Sequence, residues 1–78
     1  MSDSPGQPQA VAIRGDTIRL GQLLKLAGIA ASGAEAKALL STGTVQVNGE
    51  AESRRGRQLH PGDVVVATGA VLQVIADG

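Results

Sequence analysis

Three arginines, Arg54, Arg55 and Arg57, fall within four residues with no acid among them. A guanidinium is a planar fork of N–H donors that meets phosphate oxygens two at a time. Such a cluster suits a polyanion, and it equally suits a loop kept soluble by its charge. A second group stands at Ser32, Gly33 and Lys37. A helix start carries partial positive charge and free N–H groups, both of which favour phosphate. Ser32 there is first a cap, and Lys37 also reads as an ordinary exposed helical lysine. Arg19 and Lys25 are the other candidate contacts, although Arg19 has Asp16 and Glu35 as alternative partners. Asn48 is first a turn residue whose amide could also reach a ligand.

The remaining chemistry is sparse. His60 is the sole imidazole and precedes Pro61 in a turn. General base catalysis needs a positioned partner for it, and a metal needs further ligands. No G-x-S-x-G, H-E-x-x-H or phosphate-loop motif occurs. The sequence therefore predicts no catalytic residue, no metal, no cofactor and no small-molecule substrate.

The chain has 78 residues, enough for one small domain. It contains no Cys, so disulfides and thiol chemistry are excluded. It contains no Phe, Tyr or Trp, which argues against binding unpaired bases on aromatic platforms. No apolar run approaches the roughly 20 residues that span a bilayer. The opening residues lack a signal peptide's basic and apolar regions, so a cytoplasmic monomer is expected.

Net charge is zero, from seven basic and seven acidic residues. The balance is segregated. Residues 17–60 hold six basic and three acidic residues, a net +3, while the two ends are acidic. The zero therefore does not exclude a nucleic acid partner.

Several elements must position these groups. Residues 1–9 read as a disordered tail and 10–78 as a single domain. Residues 10–14 form a possible edge strand. Leu20, Leu23, Leu24 and Ala27 mark one face of a helix beginning near Arg19, with Gly28 as its terminal glycine. Ser32 and Glu35 form an S-x-x-E capping box for a second helix, whose apolar face is Ala36, Leu39 and Leu40 and whose end is Gly43. After Gly43 the period falls to two. Val45 and Val47 precede Asn48-Gly49, a hairpin turn signal, with residues 50–52 as the return strand. His60-Pro61-Gly62-Asp63 reads as a turn. Residues 64–67 and 71–75 are strands about Thr68-Gly69. The predicted class is α+β, with two short N-terminal helices packed on a small, mostly antiparallel sheet.

In order, Arg19-Leu20, Leu23, Ser32, Ala36, Leu39-Leu40, Gly43, Val45, Val47-Asn48-Gly49 and Gly62-Asp63 resemble the S-four RNA-binding domain family. The match covers residues 18–66. The segments Ser32–Lys37 and Arg54–Arg57 resemble a small stand-alone bacterial branch. The resemblance implies binding of structured RNA, ribosomal or transfer RNA, with the ribosome as one setting, through the two helices and the hairpin. By position it assigns contacts to Arg19, Ser32, Asn48 and Gly49. This sequence departs from the family pattern at Gly21, where an aspartate is expected, and at Gly33, where an arginine is. Lys37, one turn on, could reach the phosphate that such an arginine would hold. Two other functions fit the residues alone: a protein-interaction adaptor using a sheet edge, and a helix-turn-helix DNA binder.

Overall fold

The computed structural model describes residues 8–77. Two helices and seven strands occur among them. Strand β1 spans Pro8–Ile13 and β2 spans Ile18–Arg19. Helix α1 spans Leu20–Leu26 and α2 spans Gly33–Ser41. Strands β3 (Gln46–Val47), β4 (Glu50–Ala51), β5 (Gln58–Leu59), β6 (Val64–Ala67) and β7 (Ala70–Ala76) follow.

Five strands form one sheet in the order β1-β7-β6-β3-β4, and β2 pairs with β5 in a second, two-stranded sheet. Every pair is antiparallel except β1 with β7, which run parallel.

This arrangement corrects the expected architecture. The helices are not N-terminal, because β1 and β2 precede them. The sheet is mixed rather than antiparallel throughout. The closest backbone neighbours of α1 are α2 and β2, so the helices form no simple layer across the large sheet. The physical reason lies in β1. Val11 and Ile13 alternate with exposed Ala10 and Ala12, so one side of the strand is apolar at period two. That side completes the core only if β1 lies beside β7, where Val11 faces Val74 in register. Everything from β2 through β6, both helices included, lies in the connection that makes this pairing parallel.

The expected tail over residues 1–9 falls outside the described residues as far as residue 7, while Pro8 and Gln9 belong to β1.

A single cluster forms the core. Leu20, Leu23 and Leu24 of α1, Ala36 and Leu40 of α2, and Val45, Val47, Leu59, Val65, Leu72 and Val74 are all buried in it. Each such Leu or Val contributes about 1.5–3 kcal/mol by leaving water. Without aromatic side chains, the core depends on these branched aliphatics filling space closely.

Two turns fix the geometry around the later site. Gly28 ends α1 at φ +78°, a left-handed conformation that costs glycine little. This lets the chain reverse into α2. Asn48 and Gly49 have φ +51° and +87°, as a tight hairpin turn between β3 and β4 requires.

Candidate nucleic-acid interface

The segment between β4 and β5, residues 52–57, carries the three arginines. It lies against the start of α1. The Leu20 N–H donates to the Arg57 carbonyl at 2.9 Å, and the Gly21 N–H donates to the Arg55 carbonyl at 3.0 Å. These are donors that a helix start leaves without intrahelical partners. The basic loop thus caps α1 with its own backbone.

A Cβ built at Gly21 would stand 3.4 Å from Arg55 Cβ and 3.6 Å from the Arg55 carbonyl oxygen. Position 21 is where the loop crosses the helix. These are ordinary contact distances, so a side chain at 21 would touch the loop without displacing it. Gly33 lies at the far end of the same side chain, since its built Cβ would stand 4.0 Å from Arg55 Nη1. Arg55 therefore runs from the first turn of α1 to the first residue of α2.

The result is a groove of about 340 Å³ lined by Arg19, Gly21, Gln22, Lys25, Gly33, Arg55 and Gly56. Its three charged residues come from three elements: the end of β2, helix α1 and the loop. All three are cationic. Among the described residues, Arg19, Lys25 and Arg55 form no ion pair. Glu35, an alternative partner for Arg19, instead accepts the Ala31 N–H at 2.9 Å, while Ser32 Oγ accepts the Glu35 N–H at 3.2 Å. Half of the expected capping box is present: Ser32 caps the Glu35 N–H, but the Glu35 carboxylate takes the Ala31 N–H rather than that of Ser32.

The three arginines do not act as one cluster. Glu52, at 8% exposure, is the buried charged side chain among the described residues. Arg54 donates to it from Nε at 3.0 Å and Nη2 at 3.2 Å, and Arg57 donates from Nη1 at 2.7 Å. The N–H groups of Ser53 and Arg54 each donate to Glu52 Oε2 at 3.1 Å. The carboxylate is the hub around which the loop turns. Its Arg54 and Arg57 partners hold its pKa far below the usual carboxylate range.

Arg54 and Arg57 line a second groove, of about 670 Å³, with Gly56, Gln58, His60 and Asp63. Burial pushes the Asp63 pKa up, but the His60 N–H, the Asn48 amide and nearby positive charge outweigh it and leave the group below its ordinary value.

Two expected contacts sit differently. Asn48 Nδ2 donates to Asp63 Oδ1 at 3.2 Å and its Oδ1 accepts the Val64 N–H at 2.9 Å. Its side chain joins the β3–β4 turn to the start of β6. Lys37 is exposed on α2, one turn beyond Gly33, and lines neither groove. Glu52, Gln22 and Gln58 were not among the residues singled out from sequence. An acid two residues before Arg54 and five before Arg57 was the available signal, but its burial was not written there.

Glu52 and Asp63 make stability depend on acidity. Both carboxyl groups are more acidic when folded, so the unfolded chain binds more protons at low pH. Their contribution is complete above the unfolded carboxylate range and is lost progressively as pH falls from that range toward the depressed folded values. The thermal midpoint should stay level from neutrality to about pH 5 and fall below that. The Glu52→Gln variant should show a shallower acid limb. An acid limb unchanged in that variant would remove Glu52 as its source.

Similarity to known proteins follows the same outline. The S4 domain model matches residues 11–75. A Bacillus subtilis protein named "Probable ribosome maturation protein RlbA" is 49% identical over 59 residues, covering 76% of this chain and 83% of that one. An Escherichia coli protein named "Putative RNA-binding protein YbcJ" is 39% identical over 59 residues, covering 76% of this chain and 84% of that one. With a family match running from β1 into β7 and two relatives of similar length, the chain belongs to the S4 domain family.

Proposed function

We propose that this protein is a non-catalytic binder of structured RNA that holds the phosphate backbone in the groove between α1, α2 and the basic loop. One observation carries the proposal: Arg19, Lys25 and Arg55 converge on one groove whose lining contains no carboxylate. Phosphate neutralisation there releases counterions and gives an affinity that depends little on base identity. Gly33 and Ser32 bring the start of α2 to the groove, and Lys37 extends the positive surface one turn along the helix. Recognition by shape and backbone suits folded RNA, whose deep major groove hides its base edges.

Ribosomal RNA is the favoured ligand, because the 49% identical relative carries a ribosome maturation name. Transfer RNA is the comparison.

The test is the salt dependence of binding to ribosomal RNA fragments, with transfer RNA and duplex DNA as competitors. Three neutralised phosphates predict a log–log slope of about −2 to −3, from roughly 0.7 to 0.9 per phosphate. Affinity should fall roughly 20- to 40-fold between 50 and 200 mM salt. Binding that is absent at low salt, or flat with salt, would refute the proposal. Stronger competition by duplex DNA than by either RNA would assign the groove to DNA.

A further inference from the structure

The second groove differs in chemistry from the first. Arg54 and Arg57 line it, but Glu52 holds both, and Asp63 adds another carboxylate. Two cations against two anions leave little net attraction for phosphate. Gln58, His60 and Asp63 instead offer hydrogen-bond donors and acceptors around a volume of about 670 Å³. Ligand pockets commonly measure roughly 300–1,000 Å³.

Arg54 is the distinctive member. Glu52 grips its guanidinium at Nε and Nη2 with both carboxylate oxygens, so the plane is fixed. The side chain is nevertheless 73% exposed. A flat, fixed, partly neutralised guanidinium open to solvent presents a face rather than a point charge. Guanidinium planes stack unpaired RNA bases as aromatic rings do. This chain has no aromatic residue to do so.

We propose that Arg54 is a stacking platform for one unpaired base of the bound RNA, with the Gln58–His60–Asp63 wall beside that base. The inference rests on the RNA-binding reading above and adds a specificity element to it. Gly56 lines both grooves, so the backbone held in the first leaves a looped-out base next to Arg54 in the second.

The experiment compares two RNA hairpins with the same loop, one with a fully paired stem and one whose stem carries a single unpaired purine replaced by fluorescent 2-aminopurine. Wild-type protein should favour the bulged RNA and change the probe's emission on binding. Arg54→Lys keeps the charge and loses the plane. It should abolish that preference as fully as Arg54→Ala, a loss of roughly five- to a hundredfold, with the salt slope unchanged in both. Retention of the preference by Arg54→Lys would overturn the inference. So would a slope shallower by about 0.7 to 0.9 in Arg54→Ala, the mark of a phosphate contact. Wild-type protein that binds both hairpins equally, with its salt slope intact, would also overturn it while leaving the RNA-binding reading standing. A flat slope in wild type would instead remove that reading. The emission readout on wild-type protein needs no variant to fold.

Discussion

Arg55→Ala should weaken RNA binding about 10- to 100-fold near 100 mM salt, the range expected when a charged hydrogen-bonding group is lost. The log–log slope should become shallower by about 0.7 to 0.9. Arg55 stands apart from the other loop arginines because Glu52 engages Arg54 and Arg57 and leaves Arg55 without a carboxylate. Its side chain crosses Gly21 and ends near Gly33, so its charge sits where α1 and α2 both begin. The fold should tolerate the change. The helix-capping bonds at this position use the Arg55 and Arg57 carbonyls, which alanine retains. The thermal midpoint should move by only a few degrees, as for an exposed side chain outside the core.

Arg55→Lys should restore most of the salt slope and only part of the affinity, because an ammonium cannot grip two phosphate oxygens as a fork does. Arg14→Ala, in a residue that lines neither groove, should bind as wild type. Arg55→Ala with wild-type affinity and slope would remove this residue from the interface.

The elements around the groove were legible because their signals are local. The run Leu20, Leu23, Leu24 fixes the buried side of α1 within one turn and a half. Ser32 and Glu35 announce the start of α2 from three residues apart. Asn48-Gly49 specifies a turn by the backbone angles those two residues tolerate. The parallel partner of β1 was not legible. Val11 and Ile13 show which side of the strand is buried, but nothing near them says that the partner lies about 60 residues away in β7. The two-residue ladder of β2 with β5 is too short to carry a period.

The site was half legible for a related reason. Arg54, Arg55 and Arg57 look alike in sequence, and their sorting depends on which side of the loop each one leaves. Alternation through β4 gave no cue to the burial of Glu52, since Glu50 and Ala51 are both exposed. Asn48 was legible as a turn residue. Its bonds to Asp63 and Val64, 15 and 16 residues on, were not.

Glu52→Ala should do the broadest damage of any single substitution in the loop, lowering both stability and RNA affinity. The carboxylate accepts from two backbone N–H groups and from both neighbouring guanidinium groups. Alanine hands those donors to water and removes the one group that ties two loop N–H groups to both guanidinium groups, so the loop loses several charge-assisted hydrogen bonds at once. The loop then has no internal post, and the carbonyls that cap α1 move with it. Arg55 loses its fixed path between Gly21 and Gly33, so affinity should fall at least as far as in Arg55→Ala although Glu52 is itself an anion. A simple electrostatic view predicts the opposite sign, because removing a negative charge beside a phosphate-binding groove should strengthen binding. Salt titration of the variant decides between them. Tighter binding with a steeper slope would mean that Glu52 acts by its charge, whereas weaker binding with a lower thermal midpoint would mean that it acts by holding the loop. A mutant cycle gives the independent check. Removing Arg54 and Arg57 together with Glu52 should destabilise less than the separate losses combined, because the three side chains share one hydrogen-bond network whose bonds can be lost only once.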